Sequence, residues 1–231
     1  MRGAKLSLRH QSVYFGREPF GGLLSLMRTA FIGMGGNLPS AAGPPEATLN
    51  AAAERLERLG AVTRRSSLYR TEPVGFADQP RFVNAVVALD TDLEPRTLLD
   101  GLLAIEQAFG RDRQAGIPNG PRTLDLDLLL VDGIRLSEPG LEIPHPRLSA
   151  RPFVLIPLAE ILSEAHDAIL ARSVSQWLKH PPPGQLPPGA ESDPHDVVKI
   201  QWNGWRAGPV CGAAGGHVHA GAGPDDPDAD G

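Results

Sequence analysis

The sequence reads GPRTLDLDL over residues 120–128, with apolar and acidic side chains in strict alternation at its end. Because successive side chains of a β-strand point to opposite faces, this pattern places Asp125 and Asp127 on one face of a strand and the leucines on the other. Neighbouring carboxylates repel each other unless a cation compensates them, and oxygen ligands favour magnesium over zinc. The segment therefore predicts a divalent-metal site, although an exposed polar strand face is the usual explanation for an isolated pair of aspartates.

Three strands and two helices are predicted before this strand. Short apolar runs bounded by turn residues predict strands at residues 29–34, 61–70 and 82–89. Apolar side chains at helical spacing predict a helix that ends at Gly60 and a second helix that begins at Pro95. The order β-α-β-β-α-β is the split unit of ferredoxin-like α+β folds. We therefore expect a ferredoxin-like βαββαβ core, with a mainly antiparallel sheet, helices packed on one face and the other face free to build a site.

Further elements are expected after this core. The last core strand, residues 124–131, ends at Asp132-Gly133, a dipeptide typical of tight turns. We expect it to turn the chain into an added hairpin with a short partner strand at residues 134–136, and C-terminal helices to follow.

The chain divides by composition into three parts. Residues 1–26 are expected to be an N-terminal extension from an upstream start site, because Met27 directly precedes the first strand. Residues 27–180 carry the patterned segments and are expected to form the functional domain. Residues 181–231 are rich in Pro and Gly and are expected to be largely disordered. Apolar side chains in residues 197–205 leave open a strand or a segment docked on the body.

The overall composition excludes several classes of protein. The formal net charge of -5 opposes nucleic-acid binding, which depends on clustered excess Lys and Arg. Cys211 is the only cysteine, so no intramolecular disulfide can form and a reducing cytoplasm is expected. No apolar run approaches the roughly 18 residues of a membrane span, so no membrane association is expected.

Basic side chains concentrate around the acidic strand, although the chain as a whole is acidic. They are Arg111, Arg113, Arg122, His145, Arg147 and Arg151. Guanidinium groups bind phosphate oxygens in pairs of hydrogen bonds, and magnesium on the same oxygens is the recurring arrangement for phosphoryl transfer. Each of these residues taken singly is an ordinary surface charge, but together they predict a nucleotide polyphosphate site. Glu106, one position off the apolar stripe of the second helix, is expected to border that site.

Glycines and ring-bearing residues complete the candidate set. Residues 33–36 lack the spacing of a phosphate-binding loop, so their glycines are expected to serve a turn. Phe82 and Asn84 alternate onto one strand face, and Phe153 could supply a second ring. Stacking on a ring with polar edges read by an amide would suit a flat heterocycle. Packing between loop and strand is the competing explanation.

Four blocks of the sequence resemble the hydroxymethyldihydropterin pyrophosphokinases. They are FIGMGGNL at residues 31–38, SSLYRTEP at 66–73, QPRFVN at 79–84 and GPRTLDLD at 120–127, the last followed by IPHP at 143–146. The resemblance runs from about residue 28 to residue 180. It implies an enzyme of folate biosynthesis that transfers diphosphate from ATP to 6-hydroxymethyl-7,8-dihydropterin and releases AMP.

The resemblance also implies roles for particular residues. Two Mg²⁺ ions, bound with ATP, would be held by Asp125 and Asp127. The residues around ATP would be Glu106, Arg111, Arg113, Arg122, Leu128, His145 and Arg151, of which Arg111, Arg113 and Arg122 join the two aspartates as catalytic residues. The pterin would be bound by Thr71, Val74, Phe82, Asn84 and Phe153. A monomer is expected.

The sequence departs from the family pattern in two places. Two other hypotheses for the function also remain open. Residues 114–119 lack the Arg-Trp pair with which some members cover the substrates, and Pro146 replaces a residue that is aromatic in some members. One alternative is a ferredoxin-like binding module, such as an RNA-binding domain, although RNA-binding sheets display aromatic residues where this chain has aspartates. The other is a phosphoryl transferase that acts on a different heterocycle.

Overall fold

The computed structural model describes residues 27–76, 78–111, 119–162, 171–172, 174–176 and 197–210. Within these residues the elements run, in chain order, β1 (Arg28–Gly36), α1 (Pro45–Leu56), β2 (Ala61–Arg65), β3 (Leu68–Thr71), β4 (Phe82–Thr91), α2 (Pro95–Ala108), β5 (Asp125–Val131), β6 (Leu136–Glu138), β7 (Leu141–Ile143), a 3-10 turn (Leu148–Ala150), α3 (Pro152–Ile161), β8 (Val198–Ile200) and β9 (Gly208–Pro209). None of the helices in this part of the chain is long and apolar enough to cross a bilayer.

Within the described residues the main sheet has seven strands, and each pair of neighbours is antiparallel. Its order is β5-β1-β4-β2-β9, while β3 and β8 continue it beside the first half of β4. The predicted strand over residues 61–70 is therefore two strands, interrupted at Ser66-Ser67. At this break the Ser66 hydroxyl accepts a hydrogen bond from the Val86 amide at 2.9 Å. The mixed architecture with a mainly antiparallel sheet is confirmed.

The two faces of the sheet are covered differently. Ala30, Ile32 and Met34 of β1 face α1 and α2 and belong to the larger core, as the alternation of a strand requires. Phe31 faces the other way and packs in a second core with α3. The helices α1 and α2 lie on one face as expected. The expectation that the opposite face is entirely free is wrong, because the apolar side chains of α3 cover part of it.

The predicted pairing of β5 with the short strand that follows it is wrong. Asp132-Gly133 does form a turn, in which the Ile134 amide donates to the Val131 carbonyl at 3.0 Å. The following strand β6 pairs with β7 instead, with Leu136 opposite Ile143. Ile143 is buried, so this pairing places β6 against the core rather than along β5.

Part of the Pro- and Gly-rich tail is docked on the sheet. β8 pairs with β3 and β9 pairs with β2. Trp205 is buried, and its indole Nε1 donates to the Ser66 carbonyl at 2.7 Å. The expectation of disorder therefore does not hold for residues 197–210, where the alternative of a docked strand is observed. Residues 1–26 and the remainder of 181–231 lie outside the described residues.

Candidate functional site

The two aspartates of β5 share one face, as the alternation predicted. Their side chains are partly exposed, whereas Leu126 and Leu128 are buried in the core between sheet and helices. Leu128 is 4% exposed, and its contact with ATP stays a prediction. A contact from this residue could come only from its main chain, because a strand cannot present adjacent side chains to one face.

Glycines of β1 form a strip without side chains beside the aspartates. Gly33 lies opposite Asp127, and Gly35 lies between Asp125 on one side and Asn84 on the other. A Cβ atom at Gly35 would come within 2.8 Å of the Asn84 Oδ1. The prediction that these glycines serve a turn is wrong, because β1 continues through Gly36. Their spacing of two residues, which puts them on the aspartate face, was the signal in the sequence.

The end of α2 directs Arg111 towards β5. Gly110 follows the helix with a positive φ of 84°, a conformation that glycine adopts without a steric penalty. The Arg111 amide then donates to the Glu106 carbonyl at 3.1 Å. The Arg111 Nη1 donates to Asp125 Oδ1 at 2.5 Å and to the Leu124 carbonyl at 2.9 Å. One guanidinium group therefore binds both the side chain and the backbone at the start of β5.

Glu106 is a buried residue of α2 that contacts both Arg111 and β5. Its side chain is 1% exposed, its Oε1 accepts from the Leu126 amide at 2.7 Å, and its Oε2 lies 3.7 Å from the Arg111 Nε. Its expected place at the border of the nucleotide site stays a prediction. Its contacts make it a buried link between α2, β5 and Arg111.

Two further arginines flank the aspartates, and each lies over an aromatic ring. The Arg122 Nε is 3.5 Å from Asp125 Oδ2, and its guanidinium carbon lies 4.9 Å from the centroid of Phe82. The Arg151 Nη1 donates to Asp127 Oδ2 at 2.8 Å, and its guanidinium lies 5.9 Å from the centroid of Phe153. Burial lowers the pKa of Arg122, while Asp125 opposes this shift. The pairing with Asp125 favours the charged form of the guanidinium.

His145 lies in the same neighbourhood with a defined orientation. Its amide donates to the Leu129 carbonyl at 2.8 Å, and its Nδ1 accepts from the Arg147 amide at 3.1 Å. Burial lowers the pKa of His145, although the charge of Asp127 acts in the opposite direction. An acceptor at Nδ1 places the proton of the neutral ring on Nε2, which can donate to an anion.

The residues expected to bind a heterocycle fall into two groups. Thr71, Phe82 and Asn84 are buried together on β3 and β4, where Asn84 Nδ2 donates to Thr71 Oγ1 at 2.8 Å. Val74 is half-buried in the loop after β3, and Phe153 lies in the first turn of α3.

Arg113 and residues 114–118 of the loop that lacks the Arg-Trp pair lie outside the described residues.

Asn37 is a site residue that the sequence analysis missed. It is 4% exposed, and its Nδ2 donates to Gln79 Oε1 at 3.0 Å and to the Pro80 carbonyl at 2.9 Å. Its Oδ1 accepts from the Arg122 amide at 2.8 Å. One side chain therefore ties together the end of β1, the loop before β4 and the segment that carries Arg122. Its position directly after the last glycine of β1 was the available signal.

Replacing Asn37 with alanine should lower the free energy of unfolding by about 3 kcal/mol, because buried partners are left without hydrogen bonds. Urea denaturation of both proteins measures this difference. Asn203, which is exposed in the tail, provides the matched control as Asn203→Ala. A loss equal to that of the control would mean that the three hydrogen bonds add nothing to stability.

Glu160 of α3 is a second residue that the sequence analysis missed. It accepts hydrogen bonds from the Ser67 amide at 2.5 Å, the Tyr69 hydroxyl at 2.8 Å and Lys199 Nζ at 2.6 Å. Burial acts to raise the pKa of Glu160, but these donors outweigh it, and the pKa lies below the ordinary 4.5. Burial and the nearby Glu160 raise the pKa of Tyr69, which keeps the hydroxyl protonated as a donor.

The stability contributed by Glu160 should depend on pH. With a folded pKa below the unfolded 4.5, its contribution is present above that value and is lost as pH falls through the folded pKa. Glu160→Gln should therefore lower Tm at about pH 7, and the difference from wild type should shrink towards about pH 3. Thermal melts across this range test it, with the exposed Glu142→Gln as control. A Tm difference that stays constant with pH would contradict the account.

Comparisons with known proteins show which family the chain resembles. The family model described as 7,8-dihydro-6-hydroxymethylpterin-pyrophosphokinase (HPPK) matches residues 31–163. The 2-amino-4-hydroxy-6-hydroxymethyldihydropteridine pyrophosphokinase of Pseudomonas aeruginosa is 45% identical over 138 residues, which cover 59% of this chain and 82% of that protein. A mitochondrial folate synthesis bifunctional protein of Arabidopsis thaliana is 51% identical over 106 residues, which cover 46% of this chain and 19% of that protein.

One solved structure supports the fold alone. A crystal structure of a Plasmodium falciparum HPPK-DHPS variant with SDX-DHP superimposes with a TM-score of 0.51 at 15% sequence identity. The match covers 78% of this chain and 51% of that chain, so this chain spans about half of the longer protein.

Proposed function

Because the chain belongs to the 7,8-dihydro-6-hydroxymethylpterin-pyrophosphokinase family, we propose that the face carrying Asp125 and Asp127 performs the family's reaction. The chain is an ATP-dependent pyrophosphokinase that transfers diphosphate to 6-hydroxymethyl-7,8-dihydropterin in folate biosynthesis. The observation that carries the choice of site is the position of Gly35 between Asp125 and Asn84. The backbone at the β1 glycines, which carry no side chains, therefore lies between the two aspartate carboxylates and the buried side-chain amide of Asn84.

The donor set at this face fits magnesium. Asp125 and Asp127 offer oxygen ligands on one face, with side-chain exposures of 21% and 29%. The described residues contain no group of three or more His, Cys, Asp or Glu side chains placed to hold a metal. Magnesium is commonly bound by one or two carboxylates together with waters and substrate phosphates. We propose that the two aspartates hold two magnesium ions together with ATP, which would neutralise charge on the phosphate oxygens.

We propose that three arginines bind the phosphates. Arg111 and Arg151 pair with the two aspartates, and these guanidinium groups would exchange a carboxylate for phosphate oxygens as the nucleotide binds. Within the described part of the chain, the buried Nε atom of Arg151 has no hydrogen-bond partner, and that of Arg122 makes no hydrogen bond although it lies 3.5 Å from Asp125 Oδ2. Such donors support a site for an anion. Arg113 and His145 are proposed to complete the set, with Glu106 holding Arg111 in place.

The pterin is proposed to bind above the glycine strip. The Asn84 Oδ1 faces Gly35, since a Cβ added there would approach that oxygen to 2.8 Å. Its Nδ2 donates to Thr71 Oγ1, and we propose that its oxygen accepts an N–H group of the ring. Phe82 offers a ring for a flat heterocycle. Val74 and Phe153 are proposed as further contacts from the loop after β3 and from α3.

The reaction is then an in-line displacement at phosphorus. The hydroxymethyl oxygen of the pterin attacks the β-phosphorus of ATP and loses its proton. As the new oxygen–phosphorus bond forms, the bond from the β-phosphorus to the oxygen that bridges to the α-phosphate breaks, and AMP leaves. Arg111, Arg122 and Arg151 would stabilise the negative charge on the transferred group. Positioning and electrostatic stabilisation supply most of the acceleration in such reactions.

A complex with a non-hydrolysable ATP analogue, magnesium and the pterin tests the site directly. We expect metal density at Asp125 and Asp127, phosphates between the three arginines and the pterin ring over Gly35. Electron density for the ligands on any other face of the sheet would overturn the assignment. Phosphates at the proposed place without a bound pterin would favour a transferase for a different heterocycle.

We also propose the extent of the catalytic domain, its fold type and the state of the enzyme in the cell. We propose that residues 27–180 form the catalytic domain, which the family match at residues 31–163 supports. The strand order β5-β1-β4-β2 with antiparallel neighbours supports a ferredoxin-like core. A cytoplasmic enzyme without a nucleic-acid partner is proposed from the net charge of -5 and the single cysteine, and a monomer is proposed as well.

A further inference from the structure

A segment beyond the family match forms part of the sheet. The match ends at residue 163, whereas residues 197–210 contribute β8 and β9. In β8, Ile200 lies opposite Leu68, Lys199 opposite Tyr69 and Val198 opposite Arg70. β8 is therefore paired with β3 as far as Arg70, the residue before Thr71. Without this segment the outer edge of β3 would present unpaired backbone groups to solvent.

Side chains reinforce the docking at two points. Trp205 is buried, donates its Nε1 hydrogen to the Ser66 carbonyl at 2.7 Å and lies under the Arg65 guanidinium, 5.2 Å from the ring centroid. Lys199 Nζ donates to Glu160 Oε1 at 2.6 Å. The Trp205 hydrogen bond ends on Ser66 at the break of the sheet, whereas the Lys199 contact ends on Glu160 of α3.

These contacts converge on the strand that carries one proposed pterin contact. Glu160 binds the Ser67 amide and the Tyr69 hydroxyl as well as Lys199. Thr71 follows two residues after Tyr69 and accepts the hydrogen bond that orients Asn84. A shift of β3 would therefore move Thr71 and release the Asn84 amide from its orientation. In the part of the chain that the structure describes, the side-chain hydrogen bonds of Arg111 and Arg151, two arginines proposed to bind ATP, end on Leu124, Asp125 and Asp127 rather than on β3.

We propose that residues 197–210 are a positioning segment for the pterin, which hold β3 and the Thr71–Asn84 pair in register through β8, Lys199 and Trp205. This inference rests on the proposed function, because it assigns the pterin to that pair. Its consequence is selective: weakening the segment lowers affinity for the pterin and leaves affinity for ATP unchanged. Lys199 and Trp205 act through β3 and contact no substrate themselves.

Steady-state kinetics of full-length Lys199→Met test this selectivity. We expect KM for the pterin to rise about three-fold, with kcat and KM for ATP unchanged, as befits the loss of one partly exposed charged contact. Trp205→Phe, which keeps a ring but removes the indole N–H, should act in the same direction. Lys199→Arg should restore the wild-type KM. Arg206→Met removes the same charge from an exposed position of the same segment and should change nothing.

A double variant separates positioning from general destabilisation. In a Glu160→Gln background, Lys199→Met should raise the pterin KM no further, because Lys199 acts through Glu160. Equal losses for ATP and pterin, or an unchanged pterin KM in both Lys199→Met and Trp205→Phe, would overturn the positioning role. If wild-type protein releases no pterin-dependent AMP, the proposed function itself fails, and this inference fails with it.

Discussion

Replacing Asp127 with alanine should lower pterin-dependent AMP release by roughly 10³-fold, because the change removes one of two carboxylates that would hold magnesium and deprives Arg151 of its partner. The loss should appear in kcat and in kcat/KM alike, since charge stabilisation is needed most in the transition state. A coupled assay for AMP at saturating ATP and magnesium measures the effect.

Two further variants show whether the loss is specific. Asp127→Asn keeps the size of the side chain and removes its charge, so it should lose nearly as much activity while keeping the wild-type far-UV circular dichroism. Asp100→Ala changes an exposed aspartate of α2 and should retain full activity. Substantial turnover by both Asp127 variants would mean that the metal is held elsewhere.

Adding a methyl group at Gly35 should lower kcat/KM for the pterin by roughly 10²-fold, since small displacements of a substrate-positioning group can cost that much. The new Cβ would meet Asn84 Oδ1 at 2.8 Å, closer than van der Waals contact allows. It would also occupy the bare strip above which the pterin is proposed to bind. Kinetics of Gly35→Ala with the pterin as varied substrate measure the effect.

A double variant identifies how that methyl group acts. If it works by displacing Asn84, then Gly35→Ala should cost little more in an Asn84→Ala background. An additional large loss in that background would indicate that the methyl group blocks the pterin directly. Full activity of Gly35→Ala in the wild-type background would remove the glycine strip from the site.

Local patterns were sufficient for most of the core. Alternation predicted the shared face of Asp125 and Asp127, and helical spacing predicted α1 and α2, because these signals lie within single elements. The break at Ser66-Ser67 was not predictable, since it depends on the Ser66 hydroxyl bonding to the distant Val86 amide. The pairing of β6 with β7 likewise depends on burial of Ile143, which no local pattern reports.

The charged residues of the site could be predicted from the sequence. The residues that hold neighbouring segments in place were harder to predict. The basic residues were recognisable because they interrupt an otherwise acidic chain. Asn37 and Glu160 act through partners 39 or more residues away, so their roles require the tertiary structure. The glycines of β1 were assigned to a turn because glycine is common in turns, although their alternation matched that of the aspartates.

The most direct test of the central claim is release of AMP from ATP and magnesium by the wild-type chain, with and without 6-hydroxymethyl-7,8-dihydropterin. The account predicts AMP in step with formation of the pterin diphosphate, and none when the pterin or magnesium is omitted. Release of ADP, or no turnover by the folded protein, would contradict it and would favour a binding module that kept the fold without the chemistry.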